Sequence, residues 1–273
     1  MGQTLLAIVG PTAAGKSALA LRLALRHGGE IVSADSRQVY RLMDIGTAKP
    51  APEELSAVPH HLIDAVDPDE PFSLAMFLEQ ARAAIADIAA RSRLPILVGG
   101  TGQWVWALLE GWEVPAVAPD TRLRANLEER ARQEGHEALY AELSRTDPAA
   151  AARIDARNVR RVVRALEIAA VGGTPPGKDT PDKTSPPFDA RLIGLTLERG
   201  ELYRRIDDRV DSMIERGWVG EVSGLLERGY GPELPSMSGL GYGDLARHVR
   251  GELDLDAAVE LIKFGTHRFA RSQ

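Results

Sequence analysis

The chain has 273 residues, a formal net charge of −6, 44% hydrophobic and 26% charged residues, and no cysteine. That length suits one large domain or one domain with an insertion, and the balance is that of a soluble globular chain. The missing cysteines exclude disulfides, thiolate catalysis and cysteine-ligated zinc; no apolar stretch reaches the roughly 18 residues of a membrane span, and the net charge argues weakly against a nucleic-acid partner. The N-terminus has no basic n-region before its apolar run, so no secretory signal is expected and a cytoplasmic location follows.

In chain order, residues 4–9 form an apolar run of strand length, 10–17 read GPTAAGKS, and 18–24 carry a helical pattern. Together they match the P-loop, G-x-x-x-x-G-K-[ST]. The chemistry needs these residues at this spacing. Gly10 and Gly15 let the backbone fold back so that N–H groups, including those of Thr12, Ala13 and Ala14 after Pro11, converge on phosphate oxygens. A helix starting near Gly15 adds the positive end of its dipole. Lys16 brings a point charge to the terminal phosphates. The Ser17 hydroxyl is the expected Mg²⁺ ligand, because that ion prefers oxygen donors and keeps several waters.

Gly28-Gly29 stops the first helix. Residues 30–34 read as a second strand running into Asp35-Ser36-Arg37-Gln38, and 52–55 as a brief helix begun by Pro52. Residues 60–64 suggest a third strand. Ser73 caps an amphipathic helix to about residue 90. Residues 95–98 are a buried-type strand ending in Gly99-Gly100-Thr101-Gly102. Strands alternating with helices mean α/β with a mostly parallel sheet, whose ligands gather at the carboxyl ends of the strands. The P-loop, Asp35 and Thr101 then share one rim. Asp35 can N-cap a turn, act as a general base or bind Mg²⁺. Thr101 can be a turn residue or a hydroxyl donor. The fourth strand ends in glycine where a P-loop NTPase usually carries a Walker-B acid, and no Asn-Lys-x-Asp signature occurs; both count against an ordinary NTP hydrolase.

The character changes near Pro115. Residues 120–171 show only helical patterns, with Asp120 and Asn158 as N-caps. Residues 172–187, rich in Gly, Pro, Thr, Ser and Asp, read as a mobile loop. Residues 190–197 return to strand and helices resume over 199–271. The organisation expected is a P-loop α/β core over 1–115, a helical insertion over 116–188, and a return to the core with C-terminal helices over 189–273. Arg153, Arg157, Arg160, Arg161 and Arg164 crowd one helical stretch, offset only by Asp155, while Ile154, Val159, Val162 and Val163 can form its packed face. This is either a solvated face or a basic stripe suited to phosphates. Arg204, Arg205 and Arg209 are diluted by Asp207, Asp208 and Asp211, which favours a solvated face. His60-His61 has no partner at metal-ligand spacing and reads as structural.

GPTAAGKS at 10–17, SADSRQVY at 33–40, DIGTAKP at 44–50, HHLID at 60–64, LVGGTG at 97–102 and DP…A…I…N…RR…RALE over 147–167 closely resemble the tRNA dimethylallyltransferase (isopentenyl-tRNA transferase) family, with weaker matches in RVDSMIERG at 209–217 and GLGYGD at 239–244. The resemblance implies transfer of a dimethylallyl group from dimethylallyl diphosphate to N6 of an adenine beside the anticodon of tRNA. It implies a P-loop-type α/β core whose residues 10–17 and Arg209 grip a diphosphate leaving group, with Lys16 catalytic and Mg²⁺ as cofactor. It makes Asp35 the base that takes the N6 proton, brings Asp35, Ser36, Arg37 and Gln38 to the flipped adenine, and sets Thr101 at the reacting groups. Arg124, Asn158, Val159, Arg160, Arg161, Val162, Gly241 and Tyr242 would contact tRNA. The expected partners are the anticodon stem-loop and the diphosphate substrate, acted on by a monomer with no membrane association. Gln103-Trp104 stands where the family more often has Leu-Tyr, with an aromatic retained. Relatives usually continue past residue 273 with a basic, aromatic tail that helps hold tRNA, so tRNA affinity is expected to be reduced. From the residues alone, a P-loop small-molecule kinase and a nucleotide-gated RNA-binding module stay open.

Overall fold

Five parallel strands form one sheet: β1 (Gln3–Val9), β2 (Gly29–Ser33), β3 (His60–His61), β4 (Leu94–Val98) and β5 (Phe188–Gly194), in the order β3-β2-β4-β1-β5. The helices are α1 (Lys16–His27), α2 (Pro52–Ala57), α3 (Leu74–Ala90), α4 (Gly102–Leu109), α5 (Thr121–Glu134), α6 (His136–Thr146), α7 (Pro148–Ala151), α8 (Val159–Ala170), α9 (Arg199–Glu215), α10 (Trp218–Glu227), α11 (Tyr242–Val249) and α12 (Leu255–Ser272). The computed structural model describes residues 3–112, 114, 120–171 and 188–273. It divides into two units, Met1–Leu109 with Pro187–Gln273, and Glu110–Pro186. The loop expected over 172–187 lies outside the described residues.

In the first unit the apolar runs of β1, β2 and β4 become its buried strands. Leu5, Ala7, Ile8, Ile31, Val32, Ile96 and Leu97 are buried. Register sets Ile8 and Ser33 on either side of Val98, so three strand ends lie level. The one acid inside β2, Glu30, is buried because Arg91 grips both its carboxylate oxygens and His61 Nε2 lies 2.8 Å from Oε2. Hydrogen bonds from Arg91 chiefly hold that carboxyl down at about 2 despite burial. His61 is thus a partner to a core carboxylate, and His60 Nδ1 lies 2.8 Å from Val58 O.

Helix ends follow the capping residues. Gly28 takes the left-handed conformation (φ 63°) that closes α1, and Ser73 accepts from Met76 N to open α3. Two elements differ from the sequence reading. β3 keeps only two residues, because Leu62 and Asp64 adopt left-handed φ of 62° and 54° and leave the strand path. Helix α4, apolar on nearly every face, has no polar side for periodicity to detect. It buries Trp104 flat against Phe77, ring centroids 4.4 Å apart.

The second unit is helical. Leu127, Leu139, Leu143, Val162, Val163 and Leu166 form its core, with Ile154 and Val159 packed against it. Asp120 accepts from Arg122 N and Leu123 N, and Asn158 from Arg161 N, so both act as N-caps. Buried Glu167 pairs with Arg124 at 2.7 Å and Arg164 at 3.4 Å, and Arg157 pairs with Asp155.

The tightest approach in the sheet lies where β4 ends. A Cβ on Gly99 would sit 2.1 Å from Ala34 O. Gly99→Ala should therefore lower stability by about 1–3 kcal/mol through forced backbone movement. Thermal melting checks this, and an unchanged midpoint would show that the two strand ends are not held together here.

Candidate active site

The P-loop folds between β1 and α1. Gly10 has φ 142°, and a Cβ there would meet Leu195 O at 2.4 Å; Leu195 N in turn donates to Val9 O at 2.8 Å. Ala13 (φ 63°) and Gly15 (φ 90°) take left-handed conformations that turn the chain into α1, whose N-terminus has no side-chain cap. That leaves helix N–H groups for an anion. Lys16 Nζ donates to Gly10 O and Pro11 O, both at 2.8 Å. Thr12 N donates to Gln273 Oε1 at 2.7 Å, and Gln273 Nε2 donates to Gly100 O at 2.9 Å, so Gln273 bridges two rim loops.

Strand order brings the other rim residues in. β4 lies between β2 and β1, so the segments after all three are neighbours. Thr101 N donates to Ala34 O at 3.3 Å. Thr101 Oγ1 accepts from Ser36 N at 3.0 Å and donates to Ser36 Oγ at 3.2 Å. Asp35 Oδ1 accepts from Arg37 N at 2.8 Å, a turn closed by its own side chain. Asp35 forms no ion pair among the described residues, so Oδ2 keeps its lone pairs. The Arg37 guanidinium donates to Pro235 O and Ser236 O, which makes it an anchor for that loop.

The acids around Arg204, Arg205 and Arg209 favour one solvated face, but α9 divides the group. Arg204 and Arg205 pair with Glu201 on the exposed side. Arg209 falls on the stripe of Leu202, Ile206, Val210 and Met213, all buried. That helical spacing is the signal that separates it from its neighbours. Arg209 is half-buried, with a fully buried Nε that has no hydrogen-bond partner among the described residues. Burial lowers the Lys16 ammonium to about 8; Asp35 opposes that shift and Arg209 adds to it. Burial also pulls the Arg209 guanidinium down, again opposed by Asp35. Two cations and one carboxylate therefore feel one another at a single rim.

Ser17 Oγ is exposed in the first turn of α1 and makes no hydrogen bond among the described residues. Among the described residues no three His, Cys, Asp or Glu side chains group as metal ligands. One hard oxygen donor beside a phosphate cradle fits Mg²⁺, which takes its remaining ligands from water and phosphate oxygens.

Several other expected residues fall elsewhere. The resemblance puts Val162 and Tyr242 among RNA contacts, but both side chains are only 1% exposed, so any contact there falls to the backbone. Gly241 is the left-handed start of α11. Arg160 and Arg161 are exposed in the helical unit without an ion pair among the described residues, whereas Arg124 is held by Glu167. No helix among the described residues is long and apolar enough to cross a membrane.

Fold and site define a P-loop α/β protein whose P-loop, Asp35 and Thr101 share one rim. An IPP transferase profile matches residues 38–273, and an isopentenyl transferase profile matches residues 3–66. The tRNA dimethylallyltransferase of Roseiflexus castenholzii is 58% identical over 269 residues, covering 98% of this chain and 88% of its own. That of Thermomicrobium roseum is 53% identical, with 98% and 81% covered. Among solved structures, the tRNA isopentenylpyrophosphate transferase of Bacillus halodurans is similar at 43% identity and a TM-score of 0.71, with 99% of this chain and 85% of that one covered. A eukaryotic dimethylallyltransferase acting on tRNA reaches a TM-score of 0.82 at 29% identity, with 99% and 68% covered. This chain belongs to the tRNA dimethylallyltransferase family, a family of prenyltransferases.

Because burial lowers the Lys16 ammonium to about 8, affinity for inorganic diphosphate should fall, relative to a variant without that ammonium, as pH rises through that value. The bound anion favours the charged ammonium, so binding takes up a proton above that pH. Calorimetric titration across the range should reveal this step in the wild type and its loss, with weaker binding throughout, in Lys16→Met. An identical pH dependence in both would remove Lys16 from the anion site.

Proposed function

We propose that this chain transfers a dimethylallyl group from dimethylallyl diphosphate to N6 of the adenine 3′-adjacent to a tRNA anticodon (A37), forming N6-isopentenyladenosine. The observation that carries the reading is the buried Nε of Arg209, without a hydrogen-bond partner among the described residues, at a rim where Asp35 acts on Arg209 and both act on Lys16. An unpaired buried donor is costly unless an anion completes it. The kinase reading lacks an acid after β4, where Gly99 is pressed on Ala34 O.

The adenine N6 lone pair is delocalised into the ring, so catalysis rests on positioning, proton removal and leaving-group stabilisation. The N6–C bond forms as the allylic C–O bond breaks. The electron pair of that bond leaves on the diphosphate, held by the P-loop N–H groups, Lys16 and Arg209. Ser17 would hold Mg²⁺, which would supply positive charge to the diphosphate leaving group. The N6 proton passes to the free Oδ2 of Asp35. Thr101 holds Ser36, and with it the turn that presents Asp35. The adenine must leave its stack to meet these groups, which a single-stranded anticodon loop makes easier. Arg160 and Arg161 supply charge for tRNA phosphates, and the enzyme acts as a monomer in the cytoplasm.

Unmodified tRNA incubated with the protein, Mg²⁺ and dimethylallyl diphosphate should gain the mass of one dimethylallyl group. Asp35→Asn should cut single-turnover rate by about 10²–10⁴, the usual share of general acid–base catalysis, with tRNA still bound. Rescue of that variant by excess Mg²⁺ would reject the base in favour of a metal ligand. Replacing Arg160 and Arg161 by Ala should reduce the slope of log K against log salt by roughly 0.7–0.9 per lost phosphate contact, leaving diphosphate affinity alone. An unchanged slope and affinity would make these arginines a solvated face.

A further inference from the structure

Gln38 follows Asp35 by three residues and is half-buried. Its amide is fully oriented. Nε2 donates to Thr47 O at 3.2 Å and Ala48 O at 3.1 Å, and Ser33 Oγ donates to Oε1 at 3.0 Å. Both amide protons thus face carbonyls, and turning the group over would set Oε1 against those oxygens. What remains is acceptor capacity on Oε1 alone.

The two carbonyls belong to an irregular segment, 44–48, that has no ladder to hold it. Glu221, in the first turn of α10, holds it instead. Its Oε2 accepts from Asp44 N at 2.7 Å and Ile45 N at 2.6 Å, and its Oε1 from Gly46 N at 3.2 Å. Three successive N–H groups around one carboxylate form an anion nest. Tyr242 Oη completes it, donating to Oε1 at 2.7 Å. Buried Trp218 backs the arrangement: a Cβ on Gly46 would lie 2.1 Å from its Nε1, and one on Gly241 would lie 2.2 Å from its ring. Lys49 pins the far end of the segment, donating to Tyr40 O and Asp44 Oδ1, both at 2.7 Å, and to Asp64.

We propose that Glu221 and Tyr242 are positioning residues that fix segment 44–48 and, through its carbonyls, hold Gln38 as an acceptor-only reader of the exocyclic amine of the target purine. This rests on the reading that residues 35–38 meet the flipped base. N6 of adenine carries two protons. Asp35 takes one as the new bond forms, and Gln38 Oε1 accepts a hydrogen bond from the other. A purine with a carbonyl at C6 would set oxygen against oxygen there. Discrimination therefore depends on the amide being unable to turn, and that depends on the clamp.

The test compares anticodon stem-loop RNA carrying adenosine or inosine at the target position. Binding is measured with inorganic diphosphate and Mg²⁺ present, for wild type, Gln38→Ala, Glu221→Gln and Tyr242→Phe, with thermal melting of each. Wild type should prefer adenosine by about tenfold or more, as expected for one specific hydrogen bond with a repulsive alternative. Gln38→Ala should lose the preference. Glu221→Gln, which puts an amide N–H₂ against backbone donors, should lose most of it, and Tyr242→Phe part of it, with affinity for diphosphate unchanged. A role in stability alone would lower the melting midpoint and weaken both RNAs equally, leaving the ratio intact. Loss of preference in Gln38→Ala with retention in folded Glu221→Gln and Tyr242→Phe overturns the proposal while sparing the reading of residues 35–38. Retention in Gln38→Ala overturns that reading and the proposal with it. Should Glu221→Gln fail to fold, Tyr242→Phe decides.

Discussion

Two half-buried cations share one carboxylate at the rim, and the rest of the structure has to tolerate that. Arg209 helps to depress Lys16, and Asp35 opposes the shift of each. Neither cation makes an ion pair among the described residues. Such an arrangement costs folding free energy, because charge is partly desolvated and one donor has no partner. Packing behind the rim offsets the cost. Leu202, Ile206, Val210 and Met213 lock α9 into the core and keep Arg209 in place. Gly10 pressed on Leu195 joins the P-loop to the segment that leads into α9.

The carboxylate is treated differently. Asp35 is held by a backbone N–H two residues on, and the turn containing it by Thr101. A direct pair with Lys16 or Arg209 would fill the lone pairs a base must keep. Holding Asp35 through backbone and hydroxyl groups keeps it close enough to act on the two cations and leaves the lone pairs that the proposed base role requires. The strand order makes this feasible: β4 between β2 and β1 lets Gly99 approach Ala34 and brings Thr101 under Ser36.

How much of this was legible depended on which way a residue faces. The P-loop, the caps at Ser73, Asp120 and Asn158 and the alternation of strands with helices were readable, because each is a local pattern with a local cause. Helix α4 was not, since an all-round apolar helix has no amphipathic period. The shortness of β3 was not, since it turns on left-handed φ at Leu62 and Asp64, residue types that give no warning. Arg209 was misread: its charge neighbours suggested solvent, although its spacing from Leu202 and Ile206 places it on the buried stripe of α9. Tyr242 and Val162 lie in segments matched to the family, yet both side chains are buried, because a segment match does not say which of its side chains point outward.

The support of the site is harder still to read, because it acts on backbone. Glu221 grips three N–H groups, Lys49 a carbonyl and two acids, and Gln273 one N–H and one carbonyl. Any residue type could supply those backbone groups, so no pairing shows in the sequence. The same bonds suggest how a phosphate gains its hold on the loop. Lys16 donates to two neutral carbonyls and Thr12 N to a neutral amide, while Arg209 Nε has no partner. Exchanging the neutral partners for phosphate oxygens replaces ordinary hydrogen bonds with charge-assisted ones, roughly twice as strong. On the proposed function, the same step would satisfy the guanidinium N–H of Arg209. Affinity would then arise from donors already present at the rim, with little ordering of the chain left to oppose it.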